Sequence, residues 1–206
     1  VATLQQSRRT LRIQQFKFFY LYYLAPCSAI RITMPVNKPL DIELGNVTEA
    51  NIAQFKTLNM IALPVRYTDK FYKELIAKTP ENFLKFAFWN GFAVGSVCSR
   101  LEAQEDNTNK IYIMTIGVIP AYRRRGIASK LLEHIMENAR KDLTVSEVFL
   151  HVQTSNTSAK DFYESHGFEN VGIAENYYTR VEPPDAFILR KTVERSQEEG
   201  VEEVKS

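Results

Sequence analysis

Apolar and polar positions along this chain change period repeatedly, and each change marks a new element. The most apolar run, Ile111-Tyr-Ile-Met-Thr-Ile-Gly-Val118, reads as a buried central strand. Just past a short basic turn, Ile127, Leu131, Leu132, Ile135 and Met136 recur at helical spacing and predict an amphipathic helix starting after Gly126. Upstream, Ile42 to Leu44 predicts a short first strand. Thr48 predicts the cap of a helix through about Leu58, with Ile52, Phe55 and Leu58 on one face. Pro64 breaks that helix, a second follows around Phe71 to Ala77, and Thr79-Pro80 opens a short turn. Asn90-Gly91, set between Phe86-Ala-Phe-Trp89 and Phe92-Ala-Val94, is a two-residue hairpin signal. Its second strand should reach about Leu101, before a polar loop from Gln104 to Asn109. Val148 to Val152 is another strand. Ser155 or Asn156 caps a helix ending at Gly167, and Phe168 to Ile173 and Phe187 to Thr192 complete the sheet. The order is α/β, a mixed central sheet with helices on its faces, and no internal repeat interrupts it.

Alternation within the strands says which side chains could meet. Tyr112, Met114 and Ile116 should share one face of the central strand, with Ile111, Ile113 and Thr115 on the other. On the neighbouring strand Phe149 and His151 should oppose Val148, Leu150 and Val152. A tyrosine and a histidine from adjacent strands could then meet over one cleft. Spacing alone equally allows a buried aromatic and a hydrogen-bonded core histidine.

Composition changes the picture mainly at the ends. The chain has 206 residues, enough for one domain with a full core, and a net charge of +2 that argues for no direct nucleic-acid partner. Cys27, Cys98 and three scattered histidines form neither a disulfide framework nor a metal-ligand pattern, which suits a reducing, cytoplasmic setting without metal. Residues 1–40 carry Arg8, Arg9, Arg12, Lys17, Arg31 and Lys38, no acid, and an apolar run from Phe16 to Ala25. They read as a basic, poorly ordered extension, or as residues ahead of a second start at Met34. A signal or transit segment is the alternative, and the run is too short to span a membrane. The domain itself is expected at 41–193. Residues 194–206, rich in glutamate, read as a solvated tail.

The basic turn carries the first chemistry. A helix N-terminus presents unpaired N–H groups and the positive end of the helix dipole, and both favour a phosphate. Arg123, Arg124 and Arg125 add charge there, while Gly126 and Ala128 let an anion approach the backbone. That combination suggests a pyrophosphate-bearing cofactor. No Gly-Lys-Ser/Thr and no G-x-G-x-x-G is present, and a surface basic turn capping a helix is the alternative.

Arg123-x-x-Gly126-x-Ala128 resembles the R/Q-x-x-G-x-G/A acetyl-CoA signature of the GNAT acetyltransferase superfamily. Tyr112-Ile-Met-Thr115, Tyr122-Arg-Arg124, Leu150-His-Val-Gln153, Asn176-Tyr-Tyr178 and Arg180-Val-Glu-Pro183 resemble, within it, the N-alpha-acetyltransferase 50 family of NatE catalytic subunits. The likeness runs from about Ile42 to about Lys191, with small insertions near Thr79 and Asp106. It implies a GNAT fold with helices on both sheet faces and acetyl-CoA as cosubstrate. The cofactor would be held by Ile116, Gly117, Val118, the run Arg123, Arg124, Arg125, Gly126, Ile127, Ala128 and Ser129, and Asn156, Ser158 and Tyr163. It further implies Tyr112 and His151 as the water-assisted base and Tyr163 as the acid for the departing thiol. A backbone N–H of Gly117 or Val118, at an expected strand bulge, would serve the thioester oxygen.

On the substrate side the resemblance implies Leu63, Pro64, Val65, Tyr67, Met114, Tyr177, Tyr178, Arg180 and Val181. Leu63 stands where the family usually has phenylalanine and Val181 where it has isoleucine. The implied activity is N-terminal acetylation of Met-starting chains with an apolar, leucine-like second residue. Protein and nascent-chain N-termini would be the partners, with association with the NatA complex at the ribosome and a cytoplasmic or nuclear location. Lysine acetylation, and a mainly scaffolding role in that complex and in sister-chromatid cohesion, are the competing functions. His134, His166 and Cys98 receive no role.

Overall fold

The Asn90-Gly91 hairpin forms as its sequence dictates. Both residues have positive φ, +48° and +78°, the type I′ geometry that suits the twist of paired strands. It joins β2 (Leu84–Trp89) to β3 (Phe92–Ala103), a pair that sits inside a seven-stranded sheet. The computed structural model describes residues 39–195 apart from Arg180. Residues 1–38 of the predicted N-terminal extension, residues 196–206 of the acidic tail and Arg180 lie outside the described residues.

The elements run β1 (Glu43–Asn46), α1 (Ile52–Ala62), α2 (Asp69–Lys78), a 3-10 turn Glu81–Phe83, β2 and β3. After these come β4 (Asn109–Val118), a 3-10 turn Pro120–Tyr122, α3 (Ile127–Lys141), β5 (Val145–Gln153), α4 (Thr157–Ser165), β6 (Glu169–Ala174) and β7 (Ala186–Thr192). In space the strands are ordered β1-β2-β3-β4-β5-β7-β6. Among the described strands only β4 and β5 pair in parallel, because α3 crosses between them. Among the described residues no helix is long and apolar enough to cross a membrane.

Two apolar cores, one per sheet face, explain the helix positions. The stripe Ile127, Leu131, Leu132, Ile135 and Met136 buries α3 on one face, with Ile111, Ile113, Val97 and Val148 below it. On the other face Phe55 and Leu58 of α1 join Tyr72 and Leu75 of α2 over Leu84, Phe86 and Cys98. Phe55 is fully buried and meets Tyr72 and Phe86 edge to face, with ring centroids 6.2 and 5.8 Å away.

Several expectations need correction. Thr48 does not cap α1. Asn51 precedes the helix, and its side-chain oxygen accepts the Thr48 N–H at 2.7 Å, so the bond runs backwards into the loop. The helix also reaches Ala62, one turn beyond Leu58. Thr79 ends α2, which Thr68 caps by accepting from Phe71 N–H, while Thr79-Pro80 does lead into the expected short turn, with Phe83 N–H on the Pro80 carbonyl. At the end of the described residues Arg195 donates to the carbonyls of Asp142, Leu143 and Val145.

The largest correction concerns β4. Thr115 pairs with Cys98 but Ile113 pairs with Ser99, which leaves Met114 as the extra residue of a β-bulge. Alternation therefore restarts at Met114. Ile116 joins Ile111 and Ile113 on the α3 face, while Thr115 and Gly117 turn to the α1 face with Tyr112 and Met114. The bulge expected at Gly117 or Val118 lies at Met114 instead.

Candidate active site

β4 and β5 pair only as far as Tyr112 opposite Phe149, and beyond that point β5 is hydrogen-bonded to β7 alone. β4 nevertheless continues to Val118 and β5 to Gln153. The two strands part, and the gap between them opens into a cleft of about 740 Å³. Its floor is Ile116 and Val118, one wall is the start of α3, and the other is α4 with Asn156, Ser158 and Tyr163.

The Ile119 N–H donates to Val94 on β3 at 2.9 Å. Antiparallel alternation then commits Gly117 N–H to β3 and turns the N–H groups of Ile116 and Val118 toward the gap. Of the two backbone donors expected, Val118 is the one aimed into the cleft.

The basic turn ends in a helix start without a side-chain cap. Arg124 and Gly126 both take left-handed backbone, at φ +63° and +79°. A Cβ at Gly126 would meet nothing within 4 Å, so glycine serves the conformation there and not the space. The Lys130 N–H reaches the Gly126 carbonyl at 3.0 Å, and the N–H groups of Ile127, Ala128 and Ser129 precede that first helical bond. Arg124, Gly126, Ile127, Ala128 and Ser129 all line the cleft, whereas Arg125 does not. Arg123 lines it too, but its guanidinium is turned back onto the carbonyls of Val118 and Ala62.

At the point where the strands part, Tyr112, His151 and Tyr177 come together. The Tyr112 and Tyr177 hydroxyls are 2.5 Å apart, and the His151 ring stacks on Tyr177 at 4.2 Å. Tyr112 and His151 meet edge to face at 5.6 Å. The shared face expected of this tyrosine and histidine is therefore present. Burial, reinforced by the Tyr177 hydroxyl, holds the Tyr112 phenol well above the usual tyrosine range. Burial holds His151 below the usual histidine value, against a smaller upward pull from Glu102. His151 Nδ1 is buried without a protein hydrogen-bond partner among the described residues. Tyr163 is buried against Phe162 and Phe168, and desolvation raises its phenol as well.

Of the expected substrate residues, Leu63 and Pro64 line the cleft, while Val65, Tyr67, Met114, Tyr177, Tyr178 and Val181 lie outside its lining. Leu63 closes α1, with Pro64 and Val65 following it. Tyr67 stacks on Phe71 at 4.4 Å. Across from them Tyr177 and Tyr178 pack edge to face at 4.9 Å. Their loop is closed on itself by Tyr178 N–H to the Pro184 carbonyl and Asn176 N–H to the Asp185 carboxylate, and it is tied to the end of β5 by Gln153 Nε2 to the Pro183 carbonyl. Val181 is half-buried. Met114 accepts the Cys98 thiol at 3.7 Å.

Sequence reasoning missed several participants, Ile61, Ala62 and Tyr122 on the cleft lining among them. Ala159 and Phe162 line the cleft beside Ser158 and Tyr163, one face of α4 that its spacing could have revealed. Arg100 lies over the Tyr112 ring at 5.0 Å. His166, given no role, joins the walls: one ring nitrogen lies 2.8 Å from the Phe162 carbonyl and the other 3.0 Å from Ser129 Oγ. Nothing local in the sequence signals that bridge.

Known proteins share this architecture. Residues 52–168 match the Acetyltransferase (GNAT) family. N-alpha-acetyltransferase 50 of Danio rerio is 46% identical over 152 residues, 74% of this chain and 89% of that protein. Probable N-acetyltransferase san of Drosophila melanogaster is also 46% identical, over 75% of this chain and 83% of its own length. Among solved structures, Arabidopsis thaliana Naa50 in complex with the bisubstrate analogue CoA-Ac-MVNAL superposes with a TM-score of 0.68 at 40% identity. That match covers 74% of this chain and 99% of the Arabidopsis chain. With its splayed β4 and β5 and its signature turn, the chain belongs to the GNAT acetyltransferase family and is an acetyltransferase of the N-alpha-acetyltransferase 50 type.

Proposed function

We propose that the protein transfers the acetyl group of acetyl-CoA to the α-amino group of chains that begin with methionine followed by an apolar residue. One observation carries this reading: Tyr112, Tyr177 and His151 converge where β4 and β5 part, between the phosphate-binding turn and the aromatic rim. The Arabidopsis relative supports it, because the analogue it holds joins CoA to a sequence starting Met-Val.

Acetyl-CoA supplies the activated acyl group; the chain must grip it, accept one proton from the amine and return one to sulfur. The uncapped N–H groups of α3 and the turn before it suit the pyrophosphate. Val118 N–H is placed to donate to the carbonyl oxygen. A protein α-amino group has a pKa of about 7.7–8.0, so part of it is neutral at working pH and a modest base is enough. His151, held below its usual value, stays neutral and takes the proton through an ordered water. Tyr112 keeps its own proton and therefore orients that water and is not an anionic base. Burial keeps Tyr163 protonated, and its role as acid for the departing sulfur is assigned by resemblance. Ile116, Asn156 and Ser158 flank the pantetheine and adenosine side. Cys98 is fully buried, and burial pushes its thiol up, which favours direct transfer over a covalent acetyl-enzyme.

Leu63, Pro64, Val65 and Val181 wall the methionine side chain above Met114. Tyr67, Tyr177 and Tyr178 hydrogen-bond the first peptide groups, with Arg180 assigned beside them by resemblance. A leucine and a valine in place of phenylalanine and isoleucine leave the wall apolar but shallower. This widens the choice of second residue. Association with NatA on nascent chains at the ribosome, a part in sister-chromatid cohesion, and a cytoplasmic and nuclear location rest on the resemblance alone. Co-purification with NatA subunits tests the first.

The purified protein should acetylate a Met-Leu peptide with acetyl-CoA and leave an N-terminally blocked peptide with an internal lysine almost untouched. A higher kcat/KM on the blocked peptide would replace this reading with lysine acetylation.

A further inference from the structure

We propose that Arg123 is a positioning residue that ties the cofactor turn to the peptide-binding loop, and that it does not serve as a phosphate ligand. Its Nε–H donates to the Val118 carbonyl and its Nη2 to the Ala62 carbonyl, each at 3.0 Å. Both acceptors are strategic. Val118 ends β4 and presents its N–H to the cleft. Ala62 ends α1 and directly precedes Leu63-Pro64-Val65.

The last carbonyls of a helix lack partners within it, and α1 has no basic residue of its own in its last turn. Arg123, sixty-one positions away, supplies a charge and a donor at the Ala62 carbonyl, as Arg66 does from the loop at the Met60 carbonyl. From the sheet side, Gly117 lets the same helix end sit close. A Cβ there would lie 3.2 Å from the Ala62 Cβ and 3.5 Å from Leu63 Cδ2. The start of the peptide loop is thus held by a guanidinium on one side and seated on a bare glycine on the other. Two of three guanidinium nitrogens are engaged by neutral carbonyls, while the backbone N–H groups at the start of α3 face the cleft.

This inference rests on the proposed assignment of the two sites, so the unaltered protein comes first. If it neither binds CoA nor acetylates a Met-Leu peptide, the assignment itself fails before any variant is compared. The test measures CoA affinity by calorimetry and peptide KM and kcat for Arg123→Gln, Arg123→Lys and Gly117→Ala. Loss of charge-assisted bonds should raise peptide KM about tenfold in Arg123→Gln while CoA affinity stays within about threefold. Arg123→Lys keeps the charge but not the planar fork, so it should fail to restore peptide KM. Gly117→Ala leaves the turn intact and displaces Ala62 from the other side; it should raise peptide KM in the same way. A tenfold loss of CoA affinity with unchanged peptide KM, or full rescue by lysine, overturns the proposal. If the arginine variants do not fold, Gly117→Ala decides alone, and an unchanged peptide KM in that variant also overturns it.

Discussion

Replacing Tyr112 with phenylalanine removes one oxygen and little else. The ring keeps its place 5.0 Å from Phe149 and under the Arg100 guanidinium, while the 2.5 Å bond to the Tyr177 hydroxyl is lost. A hydrogen bond of this kind contributes about 0.5–1.5 kcal/mol net. Tyr177 is 40% exposed, so water can take over its half of the bond and the cost falls at the low end. For a domain of this size about 1 kcal/mol lowers Tm by roughly 2–4 °C. The catalytic loss should be larger: a positioned proton-handling group contributes about 10²-fold or more, near 2.7 kcal/mol in the transition state. Tyr177→Phe is the internal control, since it deletes the same bond from the peptide side. Both variants should melt within a few degrees of wild type. Tyr112→Phe should lose mostly kcat and Tyr177→Phe should mostly raise peptide KM, in steady-state assays with acetyl-CoA saturating. Equal losses of kcat in the two variants would refute the reasoning, because the bond would then only shape the loop. So would a Tyr112→Phe enzyme within threefold of wild-type kcat.

Burial keeps His151 neutral to below the usual histidine value of about 6.5, so its own limb in kcat/KM should lie under that value, separate from the fall below about 7.7–8.0 that protonation of the peptide amine imposes. His151→Ala should be slower by about 10²-fold and lose that acidic limb; an unmoved limb would assign it elsewhere. His166→Ala cuts the bridge between Phe162 and Ser129, and should weaken CoA binding by about 0.5–1.5 kcal/mol, roughly two- to tenfold by calorimetry. Unchanged affinity would make the bridge irrelevant to the cleft. Phe55→Ala empties the centre of the α1–α2 core and should cost about 3–5 kcal/mol in denaturant melts. A loss under about 1 kcal/mol would mean that core is not the support of the peptide loop.

What could be read from the sequence was local or strictly periodic. Asn90-Gly91, the stripe on α3, Asn156 as the α4 cap and Gly167 at its end depend on a few neighbouring residues, and each is where it was expected. Tyr112 and His151 were brought together by alternation on two strands. The misses share another origin. Thr48 and Asn51 are both good caps, and the choice went to whichever side chain the preceding loop could use. The arginines advertised charge, yet the direction of the Arg123 guanidinium was set by the end of α1, far away in the chain. The His166–Ser129 bridge depends in the same way on how α4 lies across α3.

The bulge at Met114 is the least legible feature and the one on which the site turns. Unbroken alternation from Tyr112 would put Ile116 on the α1 face and Gly117 on the α3 face. The end of α1 would then meet an isoleucine where it now meets a position so tight that one added carbon comes within 3.2 Å of Ala62. The helix would have to stand off, the Ala62 carbonyl would move out of reach of Arg123, and Leu63-Pro64-Val65 would leave the rim. With the bulge, the segment before Met114 places Tyr112 where the proposed reading puts the peptide, and the segment after it places Ile116 and Val118 in the cleft. On the proposed assignment, the extra residue is what lets one strand turn Tyr112 to the α1 face and Ile116 to the α3 face beside a single cleft.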